Sequence, residues 1–294
     1  MSDQTRTGEV QAKPDPSSIG EIEARLQRRR IQREKSERIS AIVYPALVMV
    51  ALIGAWEAAS RVFGVPQFLL PPPTVVAASM HEHSNLLIKE SLLTSAEIGL
   101  GFLLSIVVGV PLAFAIFLWP PFARAVYPLL IASQAVPKVA VAPLFLVWFG
   151  FGLLPKVLIA FLIAFFPVVI NTAIGLASIE REKVYLAQSM GLGPMATFFK
   201  IRLPNALPSI FAGLKISITL AVVGAVVGEF VGGQGGLGHL LLVANGSMDT
   251  ALLFGGIVAL TFLGVVFFGI IAVVERMVLP PHAISAATGA RESM

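Results

Sequence analysis

The sequence has 294 residues, of which 56% are hydrophobic and 13% are charged. Soluble globular chains carry about 25% charged residues, so this chain has too little polar surface to fold as a large soluble enzyme. The mean hydropathy of +0.85 indicates a membrane protein. Cysteine is absent, which excludes disulfides, cysteine-ligated metal sites and thiol catalysis.

A polar, basic segment, residues 1–39, precedes the first apolar stretch. It holds 9 of the 21 Lys and Arg residues and 7 of the 17 Asp and Glu residues. Ser18 and Glu21 match a capping box, which predicts a basic helix from there to Arg38. Because this segment leads directly into an apolar run, we expect a cytoplasmic tail that faces a membrane surface rather than nucleic acid. Its basic residues are expected to set the membrane topology, and binding of anionic headgroups or of a partner is the alternative.

Six stretches are apolar enough to cross a membrane, which takes about 20 mostly apolar residues. They cover residues 42–60, 98–124, 125–155, 157–179, 216–228 and 250–274. The third is expected to be one broken span, because Pro137, Lys138 and Pro143 interrupt it and neither half is long enough alone. The predicted fold class is therefore an all-α membrane protein with six transmembrane helices.

The distribution of basic residues predicts the orientation of these spans. The segments on one side of the six spans carry sixteen Lys and Arg residues, against three on the other side, namely Arg61, Lys89 and Lys156. Basic residues are enriched in cytoplasmic loops. We therefore expect both termini in the cytoplasm, with residues 281–294 as a short C-terminal tail.

One long hydrophilic loop, residues 180–206, separates two spans on the predicted cytoplasmic side. Its periodicity predicts a short helix over 182–190, a turn at 191–194 and a second short helix that ends at Leu203 and Pro204. Ala187 and Gly191 are four residues apart, so they are expected to form a small face that a partner backbone can approach closely.

The spacing of this loop resembles the cytoplasmic signature of ATP-binding-cassette (ABC) importer permeases, which is Glu-Ala-Ala, three residues, Gly, nine residues and Ile-x-Leu-Pro. Ala187, Gly191 and Ile201 stand at signature positions, followed by Leu203 and Pro204. The sequence departs from the signature at its first two positions. The resemblance implies an ATPase-coupling loop, whose candidate residues are Tyr185, Leu186, Ala187, Gly191, Leu192, Ile201, Leu203 and Pro204.

Further segments resemble one branch of that family, the permeases for nitrate, sulfonates, taurine and related solutes. These segments are 70–75, 136–152, 166–175, 203–214 and 228–238. The resemblance implies a type I importer permease domain over residues 40–280, working as a homodimer in the bacterial inner membrane. It also implies two partners, a cytoplasmic ATPase and an extracytoplasmic solute-binding protein. The chain itself has no phosphate-binding Gly-x4-Gly-Lys-Ser/Thr loop, so ATP would be bound by the partner and no cofactor or enzyme activity is expected here.

The resemblance favours a small anion such as nitrate or a sulfonate as the solute. A pyrimidine vitamin precursor or another small organic compound is the alternative within the family. From another class, an ion-coupled secondary transporter would also fit the composition. Such a transporter is expected to show inverted repeats and a coupling acid deep in the bilayer, and neither is found in the sequence.

Polar side chains inside the spans are candidates for the translocation path, because a charged group at a span centre costs roughly 2.5–3.5 kcal/mol. Lys138 follows the break in the third span and either suits an anionic solute or extends to the interface. Glu229 is expected either to close a gate or pair with a cation, or to form a structural pair. Gln134 and Asn171 are uncharged candidates for hydrogen bonds across the path.

Two acidic residues and three glycines have simpler expected roles. Glu57 and Glu97 lie near predicted span ends, so we expect them at the membrane interface. Gly224, Gly228 and Gly232 recur every four residues, a spacing that allows close helix approach within a membrane. Their partner is expected to be either another helix of the same subunit or a dimer or gate contact.

Overall fold

The computed structural model describes residues 43–279. The predicted basic helix from Ser18 to Arg38 and both predicted tails lie outside the described residues. Helix α1 (Val43–Val62) has 20 residues and is apolar enough to span a membrane. It belongs to a separate unit that ends at Val65. Glu57 pairs with Arg61 near its C-terminal end, with 2.5 Å between Oε1 and Nε.

The second unit begins at Pro66, and within residues 66–279 its regular elements are all helical. The elements are α2 (Pro73–Glu82), α3 (Ser84–Leu118), α4 (Pro120–Gln134), α5 (Lys138–Phe149), α6 (Leu153–Ala177), α7 (Arg181–Ser189), α8 (Pro194–Thr197), a π-helical turn (Phe198–Arg202), α9 (Leu203–Gly232), α10 (Leu237–Gly246) and α11 (Thr250–Val278). Helices α4 and α5 meet at a bend of 97° and together are long and apolar enough to count as one broken span. With the five long apolar helices this gives six spans, which confirms the predicted fold class.

Two spans begin earlier than the sequence analysis predicted. Helix α3 starts at Ser84 rather than at residue 98 and has 35 residues. The second helix of the 180–206 loop was predicted to end at Leu203 and Pro204, but it continues through the π-helical turn into α9. Proline lacks an N–H but is tolerated in the first turn of a helix, and Pro204 is the second residue of α9.

Helix α6 lies at the centre of the helical bundle, between α3 and α9. Buried side chains of all three helices meet in one apolar cluster that includes Ile98, Ala164 and Ile218. The backbones approach closely because small residues face each other. A Cβ atom built on Gly224 of α9 would lie only 2.5 Å from the Cα atom of Ala160 on α6.

The glycines of α9 pack inside the subunit. A Cβ atom added at Gly224, Gly228 or Gly232 would come within 3.0 Å of an atom of a neighbouring helix. The neighbouring residues are Ala160 for Gly224, Lys156 for Gly228 and Leu146 for Gly232. Of the two expected partners, the structure therefore supports a helix of the same chain.

Candidate functional site

A glycine turn ends helix α7 in the predicted coupling loop. The Leu192 N–H donates to the Ala187 carbonyl at 3.0 Å, and the Gly191 N–H donates to the Gln188 carbonyl at 2.9 Å. This pair of bonds is the Schellman motif, whose first residue beyond the helix adopts a left-handed conformation. Gly191 does so, with φ of +84°, and glycine is the residue that adopts it without strain.

This turn corrects the expected small face. Gly191 lies beyond the end of α7, so it does not continue the helical face that begins at Ala187. Ala187 is only 2% exposed and packs against its own chain. The glycine at this position of the signature is therefore explained by the turn.

The loop exposes five large apolar side chains. Tyr185, Leu186, Met190, Met195 and Phe199 are each between 56% and 72% exposed. We call these five residues the coupling surface. Two of them, Tyr185 and Leu186, occupy the positions at which the sequence departs from the signature, so the departures fall on the exposed side.

The inner residues of the loop fix it to the ends of the spans. Phe198 is buried in a cluster with Leu176 and Ile210. Its ring packs edge-on against Phe114 of α3, with 5.5 Å between the ring centroids. Among the other candidate residues of the loop, Leu192, Ile201 and Leu203 are half-buried and Pro204 is exposed.

We call the side of the spans that carries α7 the loop side, and the opposite side the far side.

Two predicted path residues flank the bend of the broken span. Gln134 ends α4 and is exposed, while Lys138 begins α5 on the other side of the bend. The Lys138 Nζ lies 4.7 Å from the ring centroid of Phe166, which is near the middle of α6. Lys138 is thus at mid-span depth, and its role in the path stays a prediction.

Asn171 and Glu229 have partners within the chain. The Asn171 amide donates to the Pro167 carbonyl at 2.9 Å, one turn back along α6. Glu229 is fully buried at the far-side end of α9, away from the bend. It accepts a bond of 2.6 Å from the Thr94 hydroxyl and another of 2.6 Å from the Gly238 N–H.

Glu229 belongs to a buried polar cluster that the sequence analysis did not predict. Lys156 donates to Glu97 at 2.9 Å and to the Gly235 carbonyl at 2.9 Å. Both partners are buried inside the protein, since the Glu97 side chain is 3% exposed and that of Lys156 is 7% exposed, and the interfacial depth expected for Glu97 stays a prediction. We call these groups the far-side cluster, with members Glu90, Thr94, Glu97, Lys156 and Glu229.

The far-side cluster holds the glycine-rich segment between α9 and α10. The Gly236 N–H donates to Glu90 at 2.6 Å, and the Leu237 N–H donates to Thr94 at 2.8 Å. Carboxylates next to the first N–H groups of a helix stabilise it through its dipole, so Glu90 and Glu229 fix the start of α10. The cluster therefore anchors this segment to α3, α6 and α9.

Helical spacing in α3 was the signal that could have revealed these residues. Glu90, Thr94 and Glu97 follow one another at four and three residues, so they share one face of a helix. The charges of Lys89, Glu90 and Glu97 instead suggested a segment outside the membrane. A long helix with one polar face is the arrangement that the structure shows.

Comparison with known proteins places the chain in a family. Residues 101–279 match the family described as binding-protein-dependent transport system inner membrane component. The chain is 37% identical over 236 residues to the formylaminopyrimidine transport permease protein of Halalkalibacterium halodurans, covering 80% of this chain and 94% of the relative. It is 38% identical over 244 residues to the riboflavin transport system permease protein of Chloroflexus aurantiacus, with 81% and 90% covered.

A solved structure shares the fold. A chain of the methionine ABC transporter MetNI, determined in inward-facing conformations, superposes with a TM-score of 0.60. The match covers 68% of this chain and 99% of that chain, at 20% sequence identity. The helical arrangement of this protein is thus that of a type I importer permease.

The six-span fold and the loop between α6 and α9 define a class, the membrane-spanning permeases of ABC importers. The chain belongs to the family of binding-protein-dependent transport system inner membrane components. It is a multi-pass inner-membrane transport subunit and not an enzyme, and importers of this family work with an ATPase and a solute-binding protein. The family predicted from the loop spacing is confirmed, and the secondary transporter is excluded.

Proposed function

We propose that the permease works as a homodimer whose loop side faces the cytoplasm, and that the coupling surface docks on the ATPase. The observation that carries this proposal is the exposure of five large apolar side chains on the loop outside the spans. An exposed apolar patch of this kind marks a protein–protein contact. The inner face of the same loop is buried, so displacement of the surface would move the loop as one body.

The transport cycle then follows from the connection of the loop to the spans. Closure of the ATPase dimer would displace the coupling surface. The loop passes into α9 without a break in the helical path, from Pro194 to Gly232. The movement would reach the centre of the bundle, where α9 packs on α6. This movement would switch the permease between inward- and outward-open states. Because the ATPase drives it, this chain would need no ATP site of its own.

Replacing Gly191 with arginine is expected to abolish uptake and co-purification of the ATPase. The left-handed φ of +84° strains any side chain at this position, and the open space around it points an arginine outward beside the coupling surface. Membrane insertion should be normal, because the loop lies outside the spans. Uptake by the whole importer and recovery of the ATPase with the tagged permease measure the effect.

A pair of alanine variants provides the control for this test. Gly191→Ala introduces strain of about 1–2 kcal/mol in the turn, whereas Gly193 has an ordinary φ of −69° and open space around it, so Gly193→Ala should behave as wild type. Unchanged uptake and ATPase recovery in Gly191→Arg would contradict the proposed docking.

For the solute, we favour a small nitrogen heterocycle of the pyrimidine or flavin kind. The relatives at 37% and 38% identity are named for formylaminopyrimidine and riboflavin. Relatives named for aliphatic sulfonates and taurine are 28% and 26% identical. An anion, as first predicted, is the second candidate, and the observation that favours it is the mid-span position of the Lys138 ammonium.

Lys138→Gln is expected to leave uptake of a neutral heterocycle within about threefold of wild type. Hydrogen bonds to charged groups contribute about 1.5–3 kcal/mol, so an anion held by Lys138 would instead lose roughly tenfold or more. Uptake of labelled formylaminopyrimidine, riboflavin and taurine is each measured in cells with the complete importer. Uptake of taurine alone, lost in Lys138→Gln and rescued by Lys138→Arg, would establish the anion and contradict the heterocycle.

A further inference from the structure

A cavity of about 400 Å³ lies under the coupling loop, between α7 and the loop-side ends of α3 and α6. One face of α7 lines it, because Arg181, Val184, Tyr185 and Gln188 follow at helical spacing. Arg202 of the π-helical turn lines it as well. We call it the arginine pocket. It lies on the loop side, far from the bend that carries Lys138.

The arginine pocket holds two cations without a matching anion. Within residues 43–279, neither Arg181 nor Arg202 has a carboxylate within 4 Å. The neighbouring Glu180 pairs instead with Lys183, at 3.1 Å. The Arg202 guanidinium lies 5.0 Å from the ring centroid of Phe117, which also lines the pocket. The pocket therefore combines positive charge with an apolar wall.

The depth of the pocket matches that of lipid headgroups. Phe117 is the last residue but one of α3, and Ala177 is the last residue of α6, so the pocket lies where two spans end. Trp119 stacks on Phe122 directly beyond α3, with 5.8 Å between ring centroids. Aromatic side chains are enriched at the level where the hydrocarbon layer meets the headgroups.

We infer that the arginine pocket binds the phosphate headgroup of an anionic phospholipid in the leaflet on the loop side. Guanidinium groups match phosphate oxygens with two parallel hydrogen bonds, and basic pockets between spans recognise such headgroups. The Gln188 amide, which also lines the pocket, supplies a further donor. The inference deepens the proposed function, because a lipid at this place supports α7 from the membrane side and keeps the coupling surface in position.

The test is lipid binding to the complete importer, observed by native mass spectrometry after removal of bound lipid. Phosphatidylglycerol is titrated against wild type and against the double variant Arg181→Gln, Arg202→Gln. A hydrogen bond to a charged group contributes a factor of about ten or more in binding, so losing one at each arginine should weaken binding roughly 100-fold. The matched control, Lys183→Gln with Lys200→Gln, removes the same charge from the same loop and should stay within twofold of wild type.

Three results of the lipid titration would overturn the inference. Equal loss of phosphatidylglycerol in the double variant and in its control would show attraction by net charge alone. Equal binding of phosphatidylcholine would remove the requirement for an anionic lipid. Displacement of the lipid by soluble glycerol phosphate at a similar concentration would identify a free phosphate ester as the ligand.

The ATPase is the other possible occupant of the pocket. Loss of ATPase recovery in the double variant, with lipid binding unchanged, would assign the arginines to the docking contact and overturn the lipid site.

The proposed orientation is tested separately with Ser189→Cys, because the chain has no cysteine of its own. A membrane-impermeant thiol reagent should label this variant in inside-out vesicles and not in intact cells. Labelling in intact cells but not in inside-out vesicles would contradict the proposed orientation. The lipid titration would then report on a site in the outer leaflet.

Discussion

Replacing Lys156 with methionine is expected to lower the free energy of unfolding by about 3–5 kcal/mol, because it leaves the buried Glu97 carboxylate without its cation. The side chains of the pair are 7% and 3% exposed, and Lys156 also donates to the Gly235 carbonyl. The variant thus removes two buried bonds and the attachment of the glycine-rich segment to α6. The melting temperature of the detergent-solubilised protein should fall by roughly 10 °C.

Two controls separate burial from charge in this experiment. Replacing both partners, Lys156→Met with Glu97→Leu, should recover most of the loss, since an apolar pair of similar volume often substitutes for a buried ion pair. Lys183→Met breaks an exposed pair, whose side chains are 56% and 66% exposed, and should cost less than about 1 kcal/mol. If Lys156→Met and Lys183→Met lower the melting temperature equally, the far-side cluster does not anchor the fold as described.

Gly224→Ala is expected to have the second large effect, a destabilisation of about 1–3 kcal/mol from overpacking. The added Cβ would lie 2.5 Å from the Cα atom of Ala160, and a backbone atom cannot move aside without separating α9 from α6. Those helices form the centre of the bundle, so uptake should fall together with stability. Melting temperature and uptake by the whole importer measure the two effects.

A glycine in open space gives the matched control. Gly99 lies in α3 with nothing within 4 Å of an added Cβ, so Gly99→Ala should be neutral or slightly stabilising, because alanine favours the helix by about 1 kcal/mol over glycine. Gly101, two residues on, would place its Cβ 2.6 Å from the Ala160 Cβ and should resemble Gly224. Equal melting temperatures for Gly99→Ala and Gly224→Ala would contradict the close approach of α6 and α9.

The family and the broken span could be predicted from the sequence because each depends on local chemistry. The spacing from Ala187 to Pro204 carries the family resemblance without any tertiary information. Pro137 and the short apolar stretches on either side of it predict the bend. Spacing also suggested that Ala187 and Gly191 share a face, which is wrong, because a glycine at a helix end and a glycine on a helix face have the same sequence pattern.

The far-side cluster could not be predicted with the same rules, because its charges are compensated at long range. Hydropathy counts each charge as a cost, so Glu90 and Glu97 moved the predicted start of the second span to residue 98. In the structure, Lys156 from α6 donates to one oxygen of Glu97, and the Gly236 N–H from the segment before α10 donates to Glu90. A hydropathy average over about 20 residues does not include partners so distant along the chain.

The continuous helical segment from Pro194 to Gly232 is one long structural element. Its 39 residues extend about 58 Å at 1.5 Å per residue, which exceeds the thickness of the hydrocarbon layer. A tilt of about 5° would move one end by about 5 Å relative to the other over that length. A displacement of the coupling loop would therefore be carried by one continuous element to Glu229 and the glycine-rich segment at the far-side end of α9.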